Sequence, residues 1–124
     1  MYEDWSRQHA AAERREHPRY TCTGRVTLGQ VDSHSHQSGA IVDLSVGGCL
    51  VRLQNPASFE THSTLELNFQ SGYHSFRATG ITSRHEEAGH LIAILFQKLN
   101  IRARIDLLDL LTHLESSSSR DPHH

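Results

Sequence analysis

No stretch of the 124 residues approaches the roughly 20 consecutive apolar side chains that a helix needs to span a bilayer. Residues 1–15 lack the apolar h-region of a secretory signal, so the protein is expected to be cytoplasmic. There are only two cysteines, Cys22 and Cys49, both inside strand-like runs, and without a secretion signal they read as buried thiols rather than a disulfide. The net charge of -2 argues against bulk nucleic-acid binding, which usually needs a basic surface. Also missing are a Gly-x-Ser-x-Gly elbow, a P-loop, a His-Glu-x-x-His helix and an acidic pair suited to general acid–base work. A binding module is expected, not an enzyme. The length allows one core and no second folded unit, and a hydrophobic fraction of 36% with mean hydropathy -0.51 fits a soluble domain with polar ends.

Histidine, by contrast, is abundant at 11 residues. Most stand singly at loop-like positions, among them His9, His17, His62, His85, His90 and His113; only His34 and His36 are closely spaced, and His123–His124 sits in a terminal tail. A structural zinc site usually needs four ligands at recurring spacing, and that pattern is missing, so neither a metal nor any other cofactor is expected.

Residues 1–13 are polar apart from Trp5 and read as a flexible or weakly helical arm, and Pro18 favours extended backbone through His17. From Tyr20 the period becomes two: Tyr20, Cys22, Val26 and Leu28 alternate with Thr21, Thr23, Arg25 and Thr27, the pattern of a half-buried strand. Residues 30–39 are turn-rich and read as a loop. Further strands are expected over 40–44, 49–53, 65–70, about 74–83 and about 90–96, separated by Gly47-Gly48, Asn55-Pro56 and Ser71-Gly72. The last of these is apolar on both faces and predicts cover on both. Six short strands with turn signals suggest a closed antiparallel barrel that hides its edges. Asn100 is a plausible N-cap for a helix over 100–114. Ile101, Ile105, Leu108, Leu111 and Leu114 keep helical spacing and predict packing on the barrel, while Leu107 and Leu110 widen the stripe enough for a self-association face. Residues 116–124 read as a disordered tail.

Two clusters carry chemistry. The first is Arg14-Arg15-Glu16-His17-Pro18-Arg19. Arginine's planar fork bonds guanine O6 and N7 together, pairs bidentately with phosphate, and stacks on a base face. Taken alone, the stretch reads equally well as a solvated basic segment. The second is Asp43-Leu44-Ser45-Val46-Gly47-Gly48. Strand alternation sends Val42 and Leu44 to one face and places the Asp43 carboxylate beside the Ser45 hydroxyl on the other, where Asp43 can accept from guanine N1–H and N2–H. Glycine at 48 permits positive φ and a close approach of ligand to backbone. Alone, this segment reads as an ordinary turn.

Together, the RxxxR of Arg15 and Arg19 and the DxSxxG of Asp43, Ser45 and Gly48 resemble the PilZ domain, a family that binds the bacterial second messenger cyclic di-GMP. The likeness spans residues 14–99, with the strand order and the terminal helix. It implies an all-β fold, a six-stranded split barrel with a C-terminal helix, over a domain at 14–115 whose barrel occupies about 19–98. It also implies that Arg15 and Arg19 contact guanine and phosphate, and that Asp43 and Ser45 read guanine edges beside Gly48. Arg14, just before the motif, implies two stacked ligand molecules per chain. Where the family often places an aromatic on the fifth strand, this chain has Ser83-Arg84, and Arg84 is the residue available to stack there. The expected partners are cyclic di-GMP and a downstream protein. Two other classes remain open: an adaptor with the same barrel and no nucleotide affinity, and a small hydrolase or metal enzyme, for which no constellation speaks.

Overall fold

The computed structural model describes residues 18–119. Among these residues seven strands occur in the order β1 (Tyr20–Thr21), β2 (Arg25–Gln30), β3 (His36–Leu44), β4 (Gly48–Leu53), β5 (Thr64–Ser71), β6 (His74–Glu86) and β7 (Leu91–Phe96), followed by one helix, α1 (Ile101–Ser119). Strands β2 to β7 close an antiparallel six-stranded barrel in the cyclic order β3-β2-β5-β6-β7-β4, with β4 returning to β3. Closure leaves no free sheet edge in the ring. Strand β1 lies outside it and, among the described residues, pairs with the end of β3 alone.

Period-two hydrophobicity builds this ring. Exposed and buried side chains alternate through all eight residues of β5, and Leu65, Leu67 and Phe69 are at most 2% exposed. Their partners in β2 and β6 follow suit: Val26 faces Phe69 and Leu28 faces Leu67, while the Phe69 and Phe76 rings stack at 4.5 Å. Leu44, Val51, Leu53, Ile92 and Ile94 complete the interior. The β5–β6 turn takes φ +60 at Gly72, the form whose backbone twist matches that of the flanking strands.

Several elements differ from the sequence reading, each for an identifiable reason. The first strand is interrupted at residues 22–24, where a Cβ on Gly24 would meet the Gln70 carbonyl at 2.6 Å. Strand β3 starts at His36 and takes in residues expected to form a loop. Its inward position there is Gly39, whose missing side chain is filled by Val51 Cγ1, and Gln37 binds the 54–63 loop through Pro56 O and the Ser58 N–H. The strand therefore shows no hydrophobic alternation to read. Strand β6 continues to Glu86, and the turn into β7 holds Glu87, Ala88 and Gly89 at positive φ. On β7 the inward Ile92 and Ile94 are buried, but Leu95 is 50% exposed, so the outer face is not fully covered.

The helix is also oriented differently. Asn100 caps it, its Oδ1 accepting from the Ala103 N–H at 2.7 Å. It packs chiefly on β6 and β1 through Ala103, Leu107, Leu110 and Leu111, with Leu114 partly buried beside them. Ile101, Ile105 and Leu108, expected to face the barrel, point away from it. Of the two apolar stripes, the one holding Ala103 and Leu107 supplies the barrel contact, and His74 Nε2 tethers that side through Asp109 Oδ2 at 3.1 Å. The helix continues through Ser119, past the start of the expected tail.

Candidate functional site

The corner between β3 and β4 collects the predicted residues that fall within the described chain. Strand β1 is short, but its register sets Thr21 opposite Asp43 and Tyr20 opposite Leu44. This carries Arg19, one residue upstream, to Asp43: its Nη1 lies 4.0 Å from Asp43 Oδ2, with the two side chains 50% and 22% exposed. At that distance the charges attract but do not share a hydrogen bond. Among the described residues, neither side chain makes a hydrogen bond, so the guanidinium fork and the carboxylate lone pairs remain available to a ligand.

A bulge sets the direction of Asp43. Ile41 pairs with Val51 and Asp43 with Leu50, so Val42 is an extra residue in β3. Both Val42 and Asp43 therefore lie on the outer face, while Ile41 and Leu44 remain buried. The expected simple alternation, with Val42 entering the barrel beside Leu44, does not hold. Burial pushes the Asp43 carboxyl above the usual aspartate range, and the nearby Arg19 charge offsets this only in part. It is a carboxylate short of donors.

Ser45 does not stand outside beside Asp43. It is 7% exposed, its Oγ donates to Gly48 O at 3.3 Å and accepts from the Gly47 N–H at 3.2 Å. Its backbone N–H also binds Gly48 O at 2.9 Å, closing the turn. Its hydroxyl is committed to the loop that carries Asp43. Gly48 is required by a close approach to the neighbouring strand, without positive φ: a Cβ there would lie 2.1 Å from Ile94 O. The turn is stitched to β7 by the Phe96 N–H, which donates to Gly47 O at 2.9 Å. Arg14 and Arg15 lie outside the described residues.

Register also shows what lies beside Asp43. Across β3, β4, β7 and β6, a row of outward positions runs Asp43, Leu50, Ala93, Arg84. Arg84 thus stands three strands along the curved wall from Asp43. Its Nε is 2.8 Å from Glu86 Oε2. Leu50 and Ala93, which form the apolar ground between the two, carry no sequence signal of their own; only the register assembles them. Cys22 and Cys49 lie beneath the corner, both free thiols. Burial raises both, and the Asp43 charge raises Cys49 further. Among the described residues no group of three or more histidine, cysteine or acidic side chains gathers in a form able to hold a metal ion.

Solved structures share this fold. The chain superposes on the PilZ domain of CeSA from a cellulose-synthesizing bacterium with a TM-score of 0.65 and 18% identity, covering 78% of this chain and 97% of that one. It superposes on the PilZ domain of YcgR from Escherichia coli, solved with c-di-GMP, with a TM-score of 0.67 and 14% identity, covering 85% and 94%. MrkH of K. pneumonia, in its c-di-GMP complex, gives 0.72 and 17% identity over 86% of this chain and 54% of that one. No curated protein matches the sequence. The family model described as PilZ domain matches residues 13–113, a span that takes in the arginine motif, the whole barrel and most of α1, and the chain accordingly belongs to the PilZ domain family.

Proposed function

We propose that the protein is a cyclic di-GMP receptor module, a binder and not an enzyme. The observation that carries this reading is the meeting of Arg19 and Asp43 at 4.0 Å, which joins the two sequence clusters into one site with unused donors and acceptors. Arg19 can bond guanine O6 and N7 or a phosphate with its fork, and Asp43 can accept from guanine N1–H and N2–H. The raised Asp43 carboxyl supports the same reading, since ligand N–H donors supply what the free site lacks. Ser45 and Gly48 act by holding the turn. Arg14 and Arg15 add charge for the phosphates, and Arg14 admits a second, stacked ligand molecule. Binding draws the arginine segment onto the barrel, and the rearranged surface is read by a partner protein.

Calorimetric titration tests this directly. Cyclic di-GMP should bind at micromolar or better affinity with two molecules per chain. Cyclic di-AMP should bind far more weakly, because adenine offers an N6 donor where guanine offers the O6 acceptor. Arg19→Ala should cost about 2–3 kcal/mol of binding by removing charge-assisted bonds, with the melting temperature nearly unchanged because Arg19 is half exposed. Equal affinity for the two nucleotides, or none for either, refutes the assignment.

A further inference from the structure

Helix α1 carries two apolar faces, and the barrel uses one. Ala103, Leu107, Leu110 and Leu111 are 8% exposed or less. On the far side Ile101, Ile105 and Leu108 are 80%, 53% and 43% exposed. With Thr112 they follow a 4-3-4 spacing, the seam of a two-helix coiled coil, with Ile105 at an a position and Leu108 at a d position. The Thr112 hydroxyl is already bonded to Leu108 O at 2.9 Å on its own helix, so only its methyl is left to contact a neighbour. An isolated surface helix is normally polar on the side away from its core, so an outward stripe of this spacing calls for a second helix.

The charges flanking the stripe say which helix fits. We propose that a second copy of this chain packs along α1, antiparallel, about a two-fold axis between Ile105 and Leu108. Ile105 then meets the partner's Leu108 and Ile101 meets the partner's Thr112. Arg102 and Asp109 both occupy the e-type flank, and in an antiparallel pair that flank faces its own equivalent. Arg102 thus comes beside the partner's Asp109, offset by about 3 Å along the axis. The contact occurs twice by symmetry. In a parallel pair the e flank would face the partner's g flank instead, so Arg102 and Asp109 would not meet. Both side chains are open to a partner, 83% and 73% exposed. Their present contacts, Arg102 Nε to Asp106 Oδ2 at 3.5 Å and Asp109 Oδ2 to His74 Nε2 at 3.1 Å, leave further donors and acceptors free. Three aliphatic side chains per chain make a small interface, so the dimer is a weak one.

Sedimentation velocity of the full chain, from low micromolar to near-millimolar concentration, reads this out. The mass should rise from 14.0 kDa toward twice that value. Ile105→Glu should weaken association by about 100-fold or more, because each dimer would then bury two unpaired carboxylates; since Ile105 is half exposed, its circular dichroism should match wild type. Arg102→Asp alone and Asp109→Arg alone should each weaken association by about 3- to 10-fold. Combining the two exchanges should restore it, which only the antiparallel pairing allows. A chain that stays monomeric at the highest concentration, whether because another protein or its own residues 1–17 occupy the stripe, overturns the proposal. So does a dimer indifferent to Ile105→Glu, or a double exchange that fails to recover.

Discussion

Strand β5 alternates without interruption from Thr64 to Ser71, whereas β3 takes an extra residue at Val42 and leads into a turn that hides Ser45. The two regions lie in one barrel and follow different rules. In the wall formed by β2, β5 and β6, most inward positions are apolar, among them Val26, Leu28, Leu65, Leu67, Phe69, Phe76 and Ala78, with Ser71 and Thr82 the buried polar exceptions, and most outward positions are polar. In the β3–β4 corner, a bulge turns a half-buried carboxylate outward, next to an arginine with which it shares no hydrogen bond. The difference shows where stability resides and where it is given up. The wall supplies burial, and the corner holds an arginine and a carboxylate that make no side-chain hydrogen bond among the described residues.

The sharpest way to break the distinction is at Leu67, in the middle of the wall and 1% exposed. Leu67→Ala should destabilise the fold by about 3–4 kcal/mol through lost transfer energy and a cavity, measured by denaturant unfolding, with nucleotide affinity unchanged once the variant is folded. A comparable loss of affinity would show that wall and corner are one unit. Gly48→Ala comes next. A methyl there collides with the backbone carbonyl of Ile94, which cannot rotate away, so a loss on the order of 3 kcal/mol is expected. Retained stability would mean that β4 and β7 can part at the corner.

Smaller changes separate the residues within the corner. Ser45→Ala should cost about 1 kcal/mol in stability, because two turn hydrogen bonds are lost and the Gly47 N–H loses its acceptor. Its effect on binding should follow from misplacement of Asp43. If stability holds and binding falls, Ser45 contacts the ligand directly and its burial is relieved on binding. Asp43→Asn should give the smallest stability change, and of opposite sign. Because the folded carboxyl titrates above its ordinary value, its contribution to stability is present at acid pH and is lost as pH rises through the raised pKa. Removing the charge should therefore gain under about 0.5 kcal/mol near neutral pH and nothing at low pH, given partial solvent screening. Melting temperatures across pH check this, and cyclic di-GMP affinity should drop in the same variant. A loss of stability at neutral pH would mean that the Arg19 attraction outweighs the burial of Asp43.

Much of this was legible in the chain itself. The apolar alternation of Leu65, Leu67 and Phe69 specifies a strand and its inward face, because a side-chain period of two has only one solution once a core exists. Asn100 marks the start of α1, because its side chain satisfies an amide the helix leaves unpaired. The residue types at Arg19 and Asp43 announce what they can bond wherever they sit. What the chain could not announce depends on neighbours far away in sequence. Val42 becomes a bulge only because Leu50 faces Asp43. Gly39 and Gly48 are needed for Val51 and Ile94, and Ser45 is buried because the turn closes over it. The two stripes of α1 are each a valid apolar face by spacing alone. Only docking on β6 and β1 decided that Leu107 and Leu110 turn inward and that Ile101, Ile105 and Leu108 remain outside, since one helix can lay only one side on a barrel.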